Sequence, residues 1–252
     1  MFNILNFGAI KVPEAKRHYI LSDESSFAIK EAFKSARTSI MYATSTIEGC
    51  KRILVTSASP GEGKTTTSIN LAVSFSQTGA KILLIDADLR KPKVAGSLGL
   101  DKTKGLANLL GGFATLNEVI QTSDLGFDII AAGVIPPNPA ELLSSAQMEK
   151  VFDELSKRYD YIFLDTPPSN VVTDSVAISK LVHGVILVVR SNYATYDDID
   201  MALKSFEFTN TKVFGFILND ITHESLNYKY KYKYKYKYKY KQGYGYSSKY
   251  YQ

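Results

Sequence analysis

The feature that most constrains the fold is a glycine-rich segment, SASPGEGKTT, at residues 57–66. It follows the apolar run ILVTS and precedes a helical pattern, which is the setting of a phosphate-binding loop. Gly61 and Gly63 let the backbone curl so that its N–H groups face phosphate oxygens. Lys64 is placed to reach the β- and γ-phosphates, and the hydroxyl of Thr65 to ligate Mg²⁺. The segment therefore predicts a nucleotide-binding α/β domain.

Beyond this loop, short apolar runs alternate with helical patterns along the chain. Near-continuous apolar strands joined by helices indicate a mostly parallel sheet that is covered on both faces. We therefore predict a doubly wound α/β fold of the P-loop NTPase type. The predicted strands cover residues 53–56, 81–85, 127–130, 161–164, 184–189 and 213–218. The predicted helices cover residues 65–77, 139–158, 174–181 and 195–208, and another begins after the polar cluster at 22–26.

Acidic residues stand at the ends of two of the predicted strands. Asp86 and Asp88 lie in KILLIDADLRKP, and Asp165 lies in YDYIFLDTPP. The carboxyl ends of parallel strands meet at the edge of the sheet where α/β proteins bind ligands. We expect these carboxylates to share one rim with Lys64 and Thr65, where carboxylates are suited to holding Mg²⁺ or accepting a proton. Helix caps or loop turns are the structural alternative for each aspartate.

The positive charge of the chain is concentrated at its C-terminus. The formal net charge is +5, but residues 228–252 contain eight lysines and no acidic residue, so the remainder carries −3. A general nucleic-acid-binding surface is therefore not supported. Eleven of the 17 tyrosines also lie in this segment. Because it lacks aliphatic side chains to bury, we expect the segment to be disordered.

These features divide the chain into an N-terminal arm at 1–22, a nucleotide-binding domain at 23–227 and a tail at 228–252. With one cysteine and three scattered histidines, we expect neither an intramolecular disulfide nor a histidine-based zinc site. No apolar stretch reaches the roughly 18 residues that a membrane-spanning helix needs. The N-terminus also lacks the order of a secretory signal, so we expect a cytoplasmic protein.

The motifs, in their order along the chain, resemble those of the bacterial tyrosine kinases of capsule and exopolysaccharide synthesis, called BY-kinases. The resemblance covers most of residues 24–252 and rests on SPGEGKT, IDADLRKP, LDTPP and the tyrosine-rich tail. The segment GVIPPNPAELLSS at 133–145 is also typical of that family. In the predicted first helix, Glu31, Lys34 and Arg37 match the family pattern E-x-x-[RK]-x-x-R, which in relatives builds a ring-shaped homo-oligomer.

The resemblance implies a protein-tyrosine kinase that uses ATP and Mg²⁺. In that family Lys64 would hold the β- and γ-phosphates, and Thr65, Asp88 and Asp165 would place Mg²⁺ directly or through water. Asp86 would accept the proton of the tyrosine hydroxyl, although Asp86 and Asp88 are too close in sequence for their roles to be separated. The implied nucleotide contacts are Ser59, Gly61, Glu62, Gly63, Lys64, Thr65, Thr66 and Asn219, the last of these at the adenine.

The resemblance further implies that the tail is phosphorylated in trans, by another copy of the chain. The implied partners are the other copies in a ring, a separate transmembrane activator, a tyrosine phosphatase and protein substrates of polysaccharide synthesis. The activator would recruit the chain to the inner face of the cell membrane. The acceptor tyrosines would be Tyr228, Tyr230, Tyr232, Tyr234, Tyr236, Tyr238, Tyr240, Tyr244, Tyr246, Tyr250 and Tyr251.

Two other functions compete with this interpretation. A MinD- or ParA-like positioning ATPase shares the fold and the three motifs, but the signature lysine of its KGGxGKT loop is replaced here by Ser59. A non-enzymatic membrane-surface protein would use the alternating tyrosines and lysines of the tail as an amphipathic segment. That function does not account for the acidic rim. Arg90 stays open between a phosphate contact, a subunit contact and a structural role in its loop.

Overall fold

The computed structural model describes residues 11–14 and 19–221. Their centre is a seven-stranded sheet. The strands are β1 (Lys51–Ser57), β2 (Ile82–Asp86), β3 (Ile120–Thr122), β4 (Asp128–Ile130), β5 (Tyr161–Asp165), β6 (Gly184–Arg190) and β7 (Val213–Asn219). They lie side by side in the order β3-β4-β2-β5-β1-β6-β7, and all neighbours are parallel except the antiparallel pair β3 and β4. The predicted doubly wound, mostly parallel sheet is confirmed.

The central strands are apolar on both faces because each face carries a core layer. In β1, Leu54 packs into one layer, whereas Ile53 and Val55 pack into the other. In β2, Leu83 and Leu84 likewise belong to opposite layers. All five side chains are completely buried. Alternate residues of a strand point to opposite faces, so an uninterrupted apolar run is what two covered faces require.

Helices cover both faces of the sheet. They are α1 (Phe27–Ala43), α2 (Lys64–Ser76), α3 (Val94–Leu98), α4 (Leu106–Leu110), α5 (Leu116–Val119), α6 (Pro139–Leu143), α7 (Ala146–Ser156), α8 (Asp174–Ser179) and α9 (Tyr196–Phe208). Ile40 of α1 and Phe75 of α2 fill one core layer, and Phe152 of α7 and Phe206 of α9 fill the other. None of the helices within 11–14 and 19–221 has both the length and the apolar character needed to span a bilayer.

Two sequence predictions are wrong in detail. The single helix predicted over residues 139–158 is two helices, because the hydroxyl of Ser145 accepts a hydrogen bond from the N–H of Met148 and starts α7 anew. The antiparallel strand β3 and the short helices α3, α4 and α5 were not predicted. Each has only three to five residues, which is too short for a hydrophobic period to show.

Part of the predicted N-terminal arm is packed on the domain. Val12, Ile20 and Leu21 are buried in the core layer that also contains residues of α1 and α2. The side chain of Asn70 in α2 accepts a hydrogen bond from the N–H of Leu21 at 2.7 Å and donates one to the carbonyl of Tyr19 at 2.9 Å. Residues 1–10, 15–18 and 222–252 lie outside the described part of the chain, and with them the whole tail.

The amino ends of the parallel strands form the edge of the sheet opposite the phosphate-binding loop. Cys50 precedes β1 and is buried, and this burial raises the pKa of its thiol above the ordinary value. Lys81 precedes β2 and is exposed, and its backbone N–H donates to a carboxylate oxygen of Asp160 at 2.8 Å. Within the described part of the chain, none of the residues predicted to bind nucleotide or metal lies at this edge.

Candidate active site

The phosphate-binding loop connects the end of β1 with the start of α2. Gly63 is the N-cap of α2 and has φ +93°, and Gly61 has φ +81°. Both are left-handed values that residues with a side chain adopt only with strain. A side chain at Gly63 would also collide with the amide group of Asn219. The two glycines thus let the loop curve over the N-terminus of α2, whose N–H groups and dipole favour bound phosphate.

Glu62 joins this loop to the end of the neighbouring strand β6. Its side chain is completely buried. One carboxylate oxygen accepts a hydrogen bond from the N–H of Ser59 at 2.6 Å, and the other accepts one from the N–H of Arg190 at 3.0 Å. Sequence reasoning named Glu62 as a nucleotide contact, whereas its carboxylate serves the protein's own N–H groups. No local sequence pattern announces this role, because the partner Arg190 is distant in sequence.

Thr65 and Asp165 meet at the start of α2. The hydroxyl of Thr65 donates to one oxygen of Asp165 at 2.6 Å, and the hydroxyl of Ser68 donates to the other at 3.2 Å. Burial raises the pKa of Asp165 to about 6, against the lowering effects of these hydroxyls and of the charge on Lys64. A hydroxyl and a carboxylate in contact are hard oxygen ligands of the kind that Mg²⁺ prefers.

Lys64, the first residue of α2, is influenced both by burial and by nearby carboxylates. Burial lowers the pKa of its ammonium group, while the negative charges of Asp165 and Asp88 oppose that shift.

Among the described residues, no group of three or more His, Cys, Asp or Glu side chains forms a metal cage. Mg²⁺ at nucleotide sites is usually bound by one or two carboxylates together with phosphates and waters, so Thr65, Asp88 and Asp165 fit that mode.

Asp86 and Asp88 lie at the end of β2 in different environments. The Asp86 side chain is completely buried and accepts hydrogen bonds from the N–H groups of Val94 at 2.9 Å, Lys93 at 3.1 Å and Asp88 at 3.3 Å. Burial and the charge of Asp165 raise the pKa of Asp86 well above its ordinary value. Asp88 is half-buried and accepts from the N–H of Lys91 at 2.9 Å. Asp86 therefore shapes the loop after β2, and Asp88 is the more accessible carboxylate.

Asn219, the predicted adenine contact, lies against the phosphate-binding loop. Its amide donates to the carbonyl of Glu62 at 2.9 Å. Next to it, Asp220 has φ +56° and pairs with the guanidinium of Arg190, with 2.8 Å between Nη2 and Oδ2. The ring of Tyr193 stacks on the same guanidinium, whose carbon lies 5.5 Å from the ring centre. The ends of β6 and β7 thus border the loop with polar and aromatic groups.

The charged residues of α1 lie away from this edge. Lys34 pairs with Glu31 at 2.9 Å, and both side chains are about half exposed. The guanidinium of Arg37 donates to the backbone carbonyl of Ser74 in α2. Arg37 therefore joins α1 to α2, whereas Glu31 and Lys34 remain at the surface. An oligomer contact through these residues stays a prediction.

One ion pair at the site was missed by sequence reasoning. Arg90, in the loop after β2, binds Asp174 at the start of α8 through two hydrogen bonds, Nε to Oδ2 at 2.7 Å and Nη2 to Oδ1 at 3.0 Å. The side chain of Asp174 is completely buried, whereas that of Arg90 is 43% exposed. Of the three roles left open for Arg90, the structure shows the structural one, a contact that joins its loop to the start of α8.

The structure brings all of the residues predicted to bind nucleotide or metal or to take part in catalysis to one edge of the sheet. These are Ser59, Gly61, Glu62, Gly63, Lys64, Thr65, Thr66, Asp86, Asp88, Asp165 and Asn219. Some of them end a parallel strand, and others lie in the loop after such a strand. The rest belong to the first turn of α2. The predicted acceptor tyrosines lie outside the described residues. This edge can bind a nucleoside triphosphate with its metal and offers carboxylates for proton transfer.

Comparisons with known proteins agree with this site. Residues 50–213 match the family model AAA_31, described as an AAA domain. The tyrosine-protein kinase YwqD of Bacillus subtilis (strain 168) is 38% identical over 205 residues, which cover 81% of this chain and 86% of that protein. The tyrosine-protein kinase ptk of Acinetobacter johnsonii is 37% identical over 199 residues, which cover 79% of this chain but only 27% of that longer protein.

Two solved structures are similar to this chain in both fold and sequence. The chimerical protein CapA2B2 superposes with a TM-score of 0.76 at 32% identity, over 85% of this chain and 93% of the other. The kinase domain of the Escherichia coli tyrosine kinase ETK superposes with a TM-score of 0.74 at 34% identity, over 76% of this chain and 75% of the other.

Proposed function

This chain belongs to the bacterial tyrosine-protein kinase family, and we propose that it transfers the γ-phosphoryl group of ATP to the tyrosines of its own C-terminal tail. The observation that carries the proposal is the contact between the Thr65 hydroxyl and the Asp165 carboxylate beside the phosphate-binding loop. Asp86 is the register partner of Asp165 on the neighbouring strand β2. A phosphate loop, a metal-binding pair and a further carboxylate are the parts that phosphoryl transfer needs.

The phosphate-binding loop and the carboxylates around it bind and align ATP. The N–H groups of the loop and the ammonium of Lys64 hold the β- and γ-phosphates. Thr65, Asp165 and Asp88 would hold Mg²⁺, which when bound neutralises charge on the phosphate oxygens. Asn219 borders the loop on the side of β7 and is our candidate for the adenine contact. Positioning and charge neutralisation account for most of the rate in this kind of reaction.

The transfer itself requires a proton acceptor. The phenolic oxygen of the acceptor tyrosine forms a bond to the γ-phosphorus while the bond from that phosphorus to the bridging oxygen breaks and ADP leaves. Asp86 takes the phenolic proton. The position of Asp86 supports this role, because it ends β2 directly beside Asp165, which ends the neighbouring strand β5.

Regulation and partners follow from the family and from the composition of the tail. We propose that copies of the chain assemble through Glu31, Lys34 and Arg37 and phosphorylate one another's tails. A separate membrane protein would activate the kinase and recruit it to the inner face of the membrane, and a tyrosine phosphatase would reverse the reaction. The process served would be polysaccharide synthesis and export. The eleven tyrosines among eight lysines in residues 228–252 support a tail built as a multiple acceptor.

The decisive experiment uses purified protein and Mg-ATP, with phosphotyrosine measured by immunoblot and mass spectrometry. Lys64→Met should abolish phosphorylation and leave the fold intact, because Lys64 supports phosphate rather than the core. Lys81→Met is the matched control, since Lys81 is exposed at the opposite edge of the sheet. Full phosphotyrosine in purified Lys64→Met, free of other kinases, would end the kinase proposal.

A second experiment distinguishes which of Asp86 and Asp88 accepts the proton and which binds the metal. Asp88→Asn should raise the Mg²⁺ concentration that gives half-maximal rate, because a metal contact is lost. Asp86→Asn should lower kcat even at saturating Mg²⁺, because the proton acceptor is lost. The reverse pattern would assign the base role to Asp88.

A further inference from the structure

The two borders of the sheet differ in how they are protected. β3 forms one border and has only three residues, of which Gln121 and Thr122 are polar. β7 forms the other border and has seven residues, VFGFILN, without a charge or a proline. Within the described part of the chain, β7 pairs on one side only, with β6. A border strand of this kind is a template for another strand, and proteins usually shorten it, charge it or cover it.

The second half of β7 carries apolar side chains that are not covered. Its pairing with β6 shifts register before Gly215 and is regular from Phe216 to Asn219. Ile217 packs into a core layer on one face of the sheet. Phe216 and Leu218 lie on the opposite face, because side chains alternate along a strand, and each is 53% exposed. Two large apolar side chains therefore stand side by side at the border, half in water.

The backbone groups of Phe216 and Leu218 point toward the open side of β7. The carbonyl of Asn219 accepts a hydrogen bond from the N–H of Ser191, which follows β6, so the backbone groups of Asn219 face β6. In a strand the N–H and C=O groups of successive residues point to alternate sides. Those of Leu218 and Phe216 therefore point away from β6, where a further strand could bind them.

The segment that follows β7 has the pattern of a strand for this border. Residues 228–241 repeat Tyr-Lys seven times, so in an extended chain the tyrosines share one face and the lysines the other. Tyrosine favours strands, and aromatic pairs across neighbouring strands stabilise a sheet. The connection at 220–227 is of ordinary length for a turn back along β7, and Asp220 begins it with the left-handed φ of +56°.

We propose that the Tyr-Lys repeat of the same chain adds to the sheet as a strand antiparallel to β7, with its tyrosines beside Phe216 and Leu218. Residues directly opposite each other in an antiparallel pair share a face, so Tyr228 opposite Leu218 places Tyr230 opposite Phe216. A slip by two residues keeps the same faces, because the repeat has the period of a strand. The lysines lie on the other face, in water, and keep a further strand from adding.

The connection to β7 favours the chain's own tail over other strands as the occupant. A segment that begins eight residues beyond Asn219 has an effective concentration at the border on the order of millimolar. The tail or the β7 strand of a second copy has no such connection. The return along β7 also leads the repeat away from the nucleotide edge, because β7 ends at that edge with Asn219.

Docking divides the tail tyrosines into two groups, a consequence that rests on the proposed kinase function. Tyrosines at the start of the repeat are held at β7, whereas those at 244–251 lie beyond it and stay available to another copy. We expect phosphorylation to begin at 244–251 and to reach Tyr228 and Tyr230 last. A phosphate adds about −1.5 to −2 charges, which are unfavourable against Phe216 and Leu218, so a phosphorylated repeat leaves the border.

Hydrogen exchange of the full-length, phosphatase-treated protein tests docking without ATP. One variant has proline at every tyrosine of the repeat, which removes the N–H groups that would bind β7. The matched control has phenylalanine at the same positions, which keeps the rings, the charge and the strand preference. The replaced residues are Tyr228, Tyr230, Tyr232, Tyr234, Tyr236, Tyr238 and Tyr240. The amides of residues 216–221 should exchange about tenfold faster or more in the proline variant than in the control. Equal rates would overturn the proposal.

A photo-cross-link distinguishes the chain's own tail from other occupants. Benzoylphenylalanine replaces Phe216 in the otherwise unaltered full-length chain, and the product is sized on a denaturing gel and mapped by mass spectrometry. Attachment to residues 228–241 at the mass of one chain supports the proposal. Attachment only to a second copy, at its tail or its β7, overturns it, and so does attachment only elsewhere.

Neither measurement depends on kinase activity, so the two proposals can fail separately. Protection of β7 in a protein that transfers no phosphate would keep the docking and end the kinase proposal. Tail phosphorylation without the protection and the cross-link would end the docking alone.

Discussion

Asp86 and Asp165 are register partners on the adjacent parallel strands β2 and β5, and both carboxylates are buried. Burial is the main reason that the pKa of each is raised. The charge of Asp165 raises the pKa of Asp86 further, and the charge of Asp88 does the same for Asp165. Without a metal, these neighbouring carboxylates therefore lower the stability of the folded protein. Such a loss of stability is common where a site is arranged for function.

The first prediction concerns pH and Asp165. Its pKa is about 6 in the folded protein against 3.8 for the ordinary group, so the folded state binds more protons between these values. Stability without metal should therefore fall as the pH rises from about 4 to 6 and stay low above that. Asp165→Asn removes this penalty. In EDTA at pH 7.5 its melting temperature should exceed that of the unaltered protein by about 2 °C or more.

The difference between Asp165→Asn and the unaltered protein should shrink toward pH 4, where the carboxyl of the unaltered protein is protonated. Mg-ADP provides the internal control, since it should stabilise the unaltered protein more than Asp165→Asn. A lower melting temperature for Asp165→Asn at pH 7.5 in EDTA would show that the charge of Lys64 matters more than the burial of the carboxylate.

A second prediction concerns Arg90 and Asp174. Arg90→Ala leaves the buried carboxylate of Asp174 without its two hydrogen bonds and should lower the free energy of unfolding by about 1–3 kcal/mol. Because the pair joins the loop of Asp86 and Asp88 to α8, kcat should fall more than the affinity for Mg-ADP. Arg90→Lys should be intermediate, since lysine keeps the charge but lacks the planar fork. Additive losses in a cycle with Asp174→Ala would show that the pair is not coupled.

The third prediction concerns the buried carboxylate of Glu62. Glu62→Gln replaces one accepting oxygen by a donating NH₂ group, which then faces the N–H of Ser59 or of Arg190. Either Ser59 or Arg190 must lose its hydrogen bond, and we expect a loss of stability of about 1–3 kcal/mol. Binding of Mg-ADP, followed by calorimetry, should weaken as well. Glu48→Gln, at an exposed position, is the matched control and should change neither quantity.

A fourth prediction concerns assembly through α1. If Glu31, Lys34 and Arg37 make contacts between copies, replacing all three by alanine should convert the oligomer to a monomer in light scattering. The exposed pair of Asp200 and Lys204 on α9 offers a control of similar chemistry, because its replacement by alanine should leave the mass unchanged. An unchanged mass for the α1 variant would mean that this face is solvated, as exposed ion pairs of this kind contribute little.

The fifth prediction concerns the charge of the tail. Its eight lysines are unopposed by acidic residues, and each phosphotyrosine adds about −1.5 to −2 at neutral pH. Five or six modifications cancel the positive charge, and further ones make the tail anionic. Oligomers should then loosen at low salt, and less so near 0.15 M, where the screening length is about 8 Å. If heavily phosphorylated protein keeps the mass of a variant with all tail tyrosines changed to Phe, the tail does not control assembly.

The fold was largely predictable because apolar runs of strand length alternate with helical patterns along the chain. β2, β5, β6 and β7 lie within one residue of their predicted ends, since each is an apolar run bounded by polar residues. β3 was missed because three residues, IQT, at the border of the sheet show no period. The break at Ser144–Ser145 was missed because the surrounding apolar residues keep a helical spacing across it.

The candidate site was predictable only where a motif is local. The glycines of the loop and the carboxylates after the strands follow from the topology of any parallel sheet. The ion pair of Arg90 with Asp174 and the contact of Glu62 with Arg190 were not predictable, because each joins residues that only the folded chain brings together.

The burial of Cys50 makes this protein convenient to label and to attach to a surface. It is the single cysteine of the chain, it is only 8% exposed, and its thiol has a raised pKa, so it should react slowly with maleimides. A cysteine in place of Lys81 would then be the fast-reacting thiol. A fluorophore or a tether fixed there would point away from the nucleotide edge, so single molecules could be watched through repeated rounds of phosphorylation.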